Sequence, residues 1–392
     1  MNSHSRLCAY LSQHPDWERR LWDEYGLKIR REGPYAIFNY GYDSRFEDPL
    51  VQEARGIILD TERLEVVCWP FRKFGNFVES YADDIDWSTA CVQEKLDGSI
   101  IKLWYSRRQD RWVFSTNAVI DAANAPIENG RNGRSYLDAI RGAENYADIR
   151  TEALDADKTY IFELVGPETM VIVPYDRALL YHTGTRHNLT GQETDEDIGV
   201  VRPARYPLRS LADCVEAARR LNLGQDGVEH EGFVVVDAQW RRVKVKSPDY
   251  LVRHRINTIN LSMANCLELL LGGEWDLAQL CALRPRDAAV LKYYDWQLEE
   301  LFDFADRTAE ISRAMYEEYS HDRGALARAL KGNPLGNIGF AALGTTAPGR
   351  EILRLNSPQR IGRLLRPYGG PEHVWTPGCG AGLTPREGGR HD

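Results

Sequence analysis

Between about residue 30 and residue 250 the apolar positions come in short runs rich in β-branched and aromatic residues: YAIFNY, GIILD, LEVVCWP, IIKLWYS, WVFSTN, TYIFELV, MVIVPY, ALLYHTG, GFVVVD and RRVKVKS. Runs of this length, separated by polar turns, predict strands. Two stretches, GIILDTERLEVVCWP and GFVVVDAQWRRVKVKS, hold a polar turn between two such runs and predict hairpins. Apolar spacing of three and four residues predicts helices in LRSLADCVEAARRLN and around SYLDAIRGAENYADI. The expectation is a set of antiparallel sheets with inserted helices.

After SPDYL at Ser247 to Leu251 the texture changes. From about 260 to 320 the apolar residues keep helical spacing, with Pro285 an expected boundary between helices. DRGALARALKG adds a further helix, and the tail GGPEHVWTPGCGAGLTPREGGRHD has the Gly and Pro content of a disordered segment. No internal repeat is visible. The expected fold class is α+β: an antiparallel-sheet domain over residues 1–250, an all-helical domain over 251–366 and a loose tail over 367–392.

Composition narrows the class. With 392 residues, 43% hydrophobic and 27% charged, the chain can bury a large core without a metal or disulfide scaffold. No apolar run reaches the roughly 18 residues of a membrane span. The start MNSHSRLCAYLSQHPDWERR lacks the basic opening and apolar core of a secretory signal, so the expected compartment is the cytoplasm. Seven scattered cysteines without a CxxC pair are expected to be reduced thiols rather than disulfides or zinc ligands. A net charge of −9 argues against a general polyanion binder. It does not exclude a locally basic cleft, because basic residues cluster at Arg241 to Lys246, Arg253 to Arg255 and Arg354 to Arg366.

The chemistry begins at QEKLDGSII, Gln93 to Ile101. Alone, Lys95 reads as a strand-edge lysine with its charge in solvent. As a nucleophile it must be neutral, which at pH 7 costs about 4–5 kcal/mol unless cations or desolvation lower its pKa. A nucleophilic reading therefore demands nearby cations, and carboxylates to hold a metal. The chain supplies candidates on strand signals: Arg55 in EARGIILD, Lys73 in PFRKFGNFVE, Glu163 in YIFELVGP, Glu231 in EGFVVVD, and Lys244 with Lys246 in RVKVKS. Arg55 and Lys73 flank one hairpin and could lie side by side. Lys244 and Lys246, two apart on a strand, share a face.

The ordered set EKLDGS, FELVGP, EGFVVV and KVKS resembles the covalent nucleotidyltransferase superfamily of polynucleotide ligases and RNA-capping enzymes. The upstream ARGIILD and PFRKFGNF look like the stretches that precede the lysine in RNA ligases of the bacteriophage RNA ligase 1 type. A helical C-terminal domain is also similar to that family; capping enzymes and most DNA ligases would carry an OB-fold there, and five strand signals are missing after residue 250.

The resemblance implies an ATP-grasp-like ligase domain and an ATP-dependent RNA ligase. Lys95 would form a lysyl-adenylate and pass AMP to an RNA 5′-phosphate, and a 3′-hydroxyl would then close the phosphodiester. It further implies ATP as substrate, with Mg2+ or Mn2+. Arg55, Lys73, Glu94, Lys95, Gly98, Glu163, Lys244 and Lys246 are carried over as ATP-binding, and Glu231 with Glu163 as metal-binding. Asp97 and Asn117 stand as supporting residues. Lys244 and Lys246 are expected to lower the pKa of Lys95, and Gly98 to let the backbone approach the nucleotide. The expected partner is RNA with 5′-phosphate and 3′-hydroxyl ends, such as broken tRNA, handled by a monomer with no membrane contact.

One departure stands out. Thr116 and Asn117 in FSTNAVI stand where ligases usually present a basic residue, and Arg107, Arg108 or Arg111 could substitute. Tyr175 or Tyr181 is a candidate for stacking on the base or for core packing; His182 and His187 read as core or surface histidines. Alternatives left open are a DNA ligase or capping-type enzyme, and a non-catalytic RNA-binding homologue.

Overall fold

The computed structural model describes residues 4–127, 133–221, 230–258, 261–273, 276–284, 287–368, 373–374 and 384–385. The chain divides into two compact units, Met1–His254 and Arg255–Asp392.

The first unit opens with helices α1 (Arg6–Gln13) and α2 (Trp17–Tyr25), followed by β1 (Leu27–Glu32), β2 (Tyr35–Tyr40), α3 (Pro49–Glu53), β3 (Arg55–Asp60) and β4 (Glu65–Cys68). Next come β5 (Cys91–Lys95), β6 (Ser99–Ser106), β7 (Arg111–Thr116), α4 (Tyr136–Arg141), β8 (Lys158–Val165) and β9 (Leu179–His187). Two short strands, β10 (Glu193–Thr194) and β11 (Arg205–Tyr206), precede α5 (Leu211–Arg220), β12 (Gly232–Val236) and β13 (Arg242–Lys246), and α6 (Pro248–Thr258) runs across the division between the units. Helix starts carry the expected chemistry: Ser135 and Asp138 form a capping box on α4, and the Ser210 hydroxyl caps α5.

The strands form three antiparallel sheets in the orders β1-β2-β3-β4, β10-β9-β8-β6-β7 and β11-β5-β12-β13. Each sheet lays an apolar face against helices. Phe38, Ile57 and Leu59 of the first pack with Leu7 and Leu21 of α1 and α2, whereas Phe233, Val235 and Val245 of the third pack with Cys214 and Ala218 of α5. A small cluster of Phe71, Phe74 and Ile161, with Ile100 and Val234 against it, joins residues of the second and third sheets to the loop after β4. The chain crosses from the third sheet to the second between β5 and β6, over Leu96, Asp97 and Gly98.

Both predicted hairpins form, β3–β4 and β12–β13. The run MVIVPY is not a strand. Its Ile172 and Val173 amides, which a strand would spend on a ladder, donate instead to the Asp97 carboxylate. Helices α1 and α2 and strand β1 were not anticipated: LKIRRE exposes most of its residues and so shows little apolar signal.

In the second unit α7 (Met263–Leu271) and α8 (Leu277–Leu283) precede the 31-residue α9 (Ala288–Glu318), then α10 (Arg323–Ala329), α11 (Gly336–Ala342), α12 (Gly349–Arg354) and α13 (Pro358–Tyr368). Helix α9 is the spine: Leu291, Leu298, Leu301, Phe302, Ala305, Thr308, Ala309 and Ser312 form the buried stripe that a 3.6-residue period requires. Gly349 lets α12 approach closely, since a Cβ there would fall 1.9 Å from the Ala305 carbonyl oxygen. Arg350 then pairs with Asp306, and at 2.6 Å with Asp303. The expected boundary at Pro285 falls between α8 and α9, outside the described residues. The expected loose tail also lies mostly outside them; Pro367 and Tyr368 belong to α13, and His373–Val374 (β14) pairs with Thr384–Pro385 (β15). Among the described residues no helix is long and apolar enough to cross a membrane.

Candidate active site

Strand register assembles the centre of the site. Gly232, first residue of β12, lies opposite Lys95 at the end of β5 and opposite Lys246 at the end of β13. Cross-strand neighbours share a face, so the two lysines flank a residue that has no side chain. The space belongs to Glu231, whose buried carboxylate accepts from the Lys95 ammonium through Oε2 and from Lys246 at 2.6 Å through Oε1. Burial alone would raise the Glu231 pKa; the two ammonium groups reverse this and hold it below the ordinary carboxylate value. Gly232 is required: its φ is +143°, and a Cβ would lie 2.2 Å from the Val245 carbonyl oxygen.

Two cavities meet at this row. The first is lined by Glu94, Lys244 and Lys246 over an apolar floor of Phe71, Phe74, Ile161 and Val234; the second by Asp97, Gly98, Asn117, Glu231, Tyr250 and His254. Lys95, Arg55, Glu163 and Ile100 line both. Glu163 comes from β8, opposite Ile100 of β6. Burial drives its pKa up to about 7 against the pull of Lys95. Gly98 lets β6 begin tight against β8, where a Cβ would meet the Leu164 carbonyl oxygen at 2.2 Å. Glu94 donates its backbone N–H to Ala204 at 2.8 Å, and burial raises its carboxyl pKa.

The loop after β4 supplies the other wall. It runs beside β13, with the Lys244 amide donating to the Gly75 carbonyl and the Phe77 amide to the Lys244 carbonyl, both at 3.0 Å. Phe74 presents its ring to the Arg55 guanidinium at 5.1 Å and to the Lys244 ammonium at 4.8 Å. Burial, and then the charges of Arg55, Lys95, Lys73 and Lys246, push the Lys244 pKa down to about 6. Between pH 6 and its ordinary value of 10.5 the unfolded chain holds the proton that the folded chain lacks, so this group's contribution to stability rises with pH across that window and is lost as pH falls through 6. Lys244→Met removes the penalty. Thermal unfolding at pH 7 is expected to show a gain on the order of 1–2 kcal/mol, allowing for partial exposure.

Lys73 is placed differently from its expected role. It lines neither cavity; its ammonium sits in a cage of Phe46, Tyr40 and Tyr81 rings at 4.2, 4.6 and 5.8 Å. Tyr40 is also a side-chain hydrogen-bond partner of Arg55, so it stands between the two cations expected side by side. Arg107, Arg108 and Arg111 do not replace a basic residue at 117, because each pairs with carboxylates away from the cavities: Asp157, Asp60 with Glu62, and Asp121. Asn117 itself reaches the second cavity, with its buried Oδ1 lacking a hydrogen-bond partner.

Asp97 is an anchor. Its buried carboxylate accepts from the Ile172 and Val173 amides and the Tyr250 hydroxyl, each at 2.7 Å, while its own amide donates to the Tyr175 hydroxyl at 3.1 Å. Tyr175 therefore orders the Lys95–Gly98 turn, and neither it nor Tyr181 lines the two cavities. Asp97→Ala strands three donors, each costing roughly 1–3 kcal/mol when buried. Urea unfolding is expected to show a loss on the order of 3 kcal/mol. His182 is buried, its pKa pushed down to about 4 by burial, and His187 accepts from the Leu189 amide at 3.1 Å; neither joins the site. Arg242, which lines the first cavity, and Tyr40, Tyr250 and His254, which line the second, were missed, since each is a single residue whose relevance depends on long-range packing.

Glu163 and Glu231 could serve a divalent cation. Among the described residues no group of three or more His, Cys, Asp or Glu side chains forms a protein cage. The donor set suits an ion that arrives with substrate phosphates, which needs only one or two protein carboxylates. Both Glu231 oxygens are committed to lysines, so one of those contacts must open first.

The profile of the RNA ligase family matches residues 53–250, and the chain belongs to that family. It is 29% identical over 298 residues to a protein of Autographa californica nuclear polyhedrosis virus that carries the name bifunctional polynucleotide kinase/RNA ligase, covering 70% of this chain and 41% of that one. Identity to a Thermovibrio ammonificans protein named as an RNA ligase is 29% over 241 residues, covering 58% and 60%; identity to the RNA ligase of Rhodothermus phage RM378 is 25% over 344 residues, covering 71% and 78%. The chain thus spans less than two thirds of the first two relatives. Among solved structures, an archaeal ATP-dependent RNA ligase overlaps 71% of this chain and 70% of its own with a TM-score of 0.43 at 12% identity.

Proposed function

We propose that the chain is an ATP-dependent RNA ligase that joins 5′-phosphate and 3′-hydroxyl ends through a lysyl-adenylate and an RNA-adenylate. The observation that carries the reading is the Lys95–Glu231–Lys246 row, set where two cavities meet and surrounded by Arg55, Glu163 and Lys244. A lone structural ion pair would not need six ionisable groups facing one space.

Lys95 Nζ attacks the α-phosphorus of ATP. A P–N bond forms, the bond to the bridging oxygen breaks, and pyrophosphate leaves. For this Lys95 must part from Glu231 and lose a proton. Lys244, held largely unprotonated at neutral pH by burial and its cationic neighbours, is a group ready to gain charge as the polyphosphate enters. Freed of Lys95, Glu231 has an oxygen for the metal, with Glu163 beside it; a bound divalent cation would supply charge neutralisation at the phosphate oxygens. Arg55 and Lys246 offer further positive charge there. In the second step an oxygen of the RNA 5′-phosphate attacks the adenylate phosphorus and Lys95 departs. In the third, the 3′-hydroxyl attacks the activated 5′-phosphorus and AMP leaves. Repair of broken tRNA or similar RNA is the role we assign.

The test uses ATP labelled at the α-phosphate, with magnesium. The protein should acquire acid-labile label from ATP and not from GTP, and should pass it to 5′-phosphorylated RNA. Labelling by GTP would favour the capping-type reading, and transfer confined to nicked DNA the DNA ligase reading. RNA binding with no covalent label at all would leave only the non-catalytic homologue.

A further inference from the structure

Arg55 reaches both cavities from a strand that is locally broken. Opposite β2 the register shifts: Phe38 pairs with Ile57 and Asn39 with Arg55, leaving Gly56 bulged out of the ladder at φ +78°. A bulge with a left-handed glycine re-aims the neighbouring side chain. What holds the bulge comes from the next sheet. Lys102 of β6, with none of its surface exposed, sends its ammonium to the Gly56 carbonyl oxygen. Asn117, just past β7, donates to the Asn39 side chain at 3.4 Å. A Cβ on Gly56 would meet Asn117 Oδ1 at 2.7 Å, the Asn117 carbonyl at 2.8 Å and Lys102 Nζ at 3.0 Å. The β6–β7 hairpin thus closes on the bulge from above.

We infer that Lys102 is a positioning residue: by fixing the Gly56 carbonyl it locks the β3 bulge that aims Arg55 into the site beside Lys95. The inference rests on the proposed ligase reading. Its physical basis is the cost of the residue. A fully buried amine with no carboxylate partner among the described residues is unfavourable, and Met or Leu would occupy the same volume without that penalty. The groups facing it are Cys68 of β4 and Arg55 itself; desolvation and the Arg55 charge bring its pKa to about 8. An apolar residue there would leave the Gly56 carbonyl, already out of the ladder, without its donor.

Single-turnover labelling of Lys95 separates positioning from bulk stability. Lys102→Met is expected to slow labelling about 10- to 100-fold, as a displacement near 1 Å of a phosphate-binding group can. In an Arg55→Lys background the same change should slow it no more than about threefold, because the residue it acts through is already altered. Lys102→Gln, which keeps a donor for Gly56, should fall between wild type and Lys102→Met, and covers the case in which Lys102→Met does not fold. Equal losses in both backgrounds, or wild-type labelling by Lys102→Met, would overturn the inference. A crystal structure of the variant gives an answer independent of activity: Gly56 should leave the left-handed region and Arg55 should withdraw from the cavities. An unchanged bulge overturns the lock, whereas a wild-type protein that takes no label overturns the ligase reading instead.

Discussion

Protein carrying Lys95→Ala is expected to take no label from ATP, a loss of at least about a thousandfold. The other amines near the row are engaged elsewhere. Lys246 lies on the far side of the Glu231 carboxylate, bonded to its other oxygen, and Lys244 is packed over the Phe74 ring. Lys246→Ala should therefore slow labelling while leaving Lys95 the labelled residue, as peptide mapping would show. Label appearing on Lys246 or Lys244 in the Lys95→Ala protein would sink the assignment of a single nucleophile.

Gly232→Ala should be the most damaging substitution for the fold of the site. The added methyl meets a backbone carbonyl at 2.2 Å rather than a side chain that could swing away, and φ is +143°. Left-handed strain of roughly 1–3 kcal/mol then adds to a clash that only separation of β12 from β13 relieves. Urea unfolding is expected to show a loss of at least about 3 kcal/mol, together with loss of labelling, since the row depends on this register. Gly33→Ala is the control: φ there is +59° but nothing lies within 4 Å, so about 1 kcal/mol is expected. Equal effects at the two positions would mean that close approach at Gly232 is unimportant.

Much of the architecture was legible because strands and helices write their periods into the sequence. YAIFNY, IIKLWYS and GFVVVD are β2, β6 and β12, and α9 lies in the run whose apolar residues keep helical spacing. The misreading of MVIVPY has a definite cause: β-branched composition indicates extended backbone, but the ladder was displaced by one buried carboxylate seventy-odd residues upstream. At the site, motif order brought Lys95, Glu231, Lys244, Lys246, Glu163 and Arg55 to attention, and the fold draws them around shared cavities. Lys73 shows the limit. Its cage is built from β2, the α3 approach and the loop after β4, and no local pattern announces three rings converging on one ammonium. Lys102 was invisible for a related reason, since a lysine in the middle of IIKLWYS reads as one polar position in a strand until the neighbouring sheet is seen above it.

The shared carboxylate of Glu231 also bears on what this protein leaves alone. An amine strong enough to attack a phosphoric anhydride would, if free, react with acyl phosphates, cyanate and other cellular electrophiles and be irreversibly spoiled. Lys95 at rest is half of an ion pair in a narrow recess, with 18% of its side chain exposed. A ligand that gives Glu231 another partner would release it. On the proposed ligase reading, the lifetime of the nucleophile between turnovers is tied to the same three residues as its chemistry.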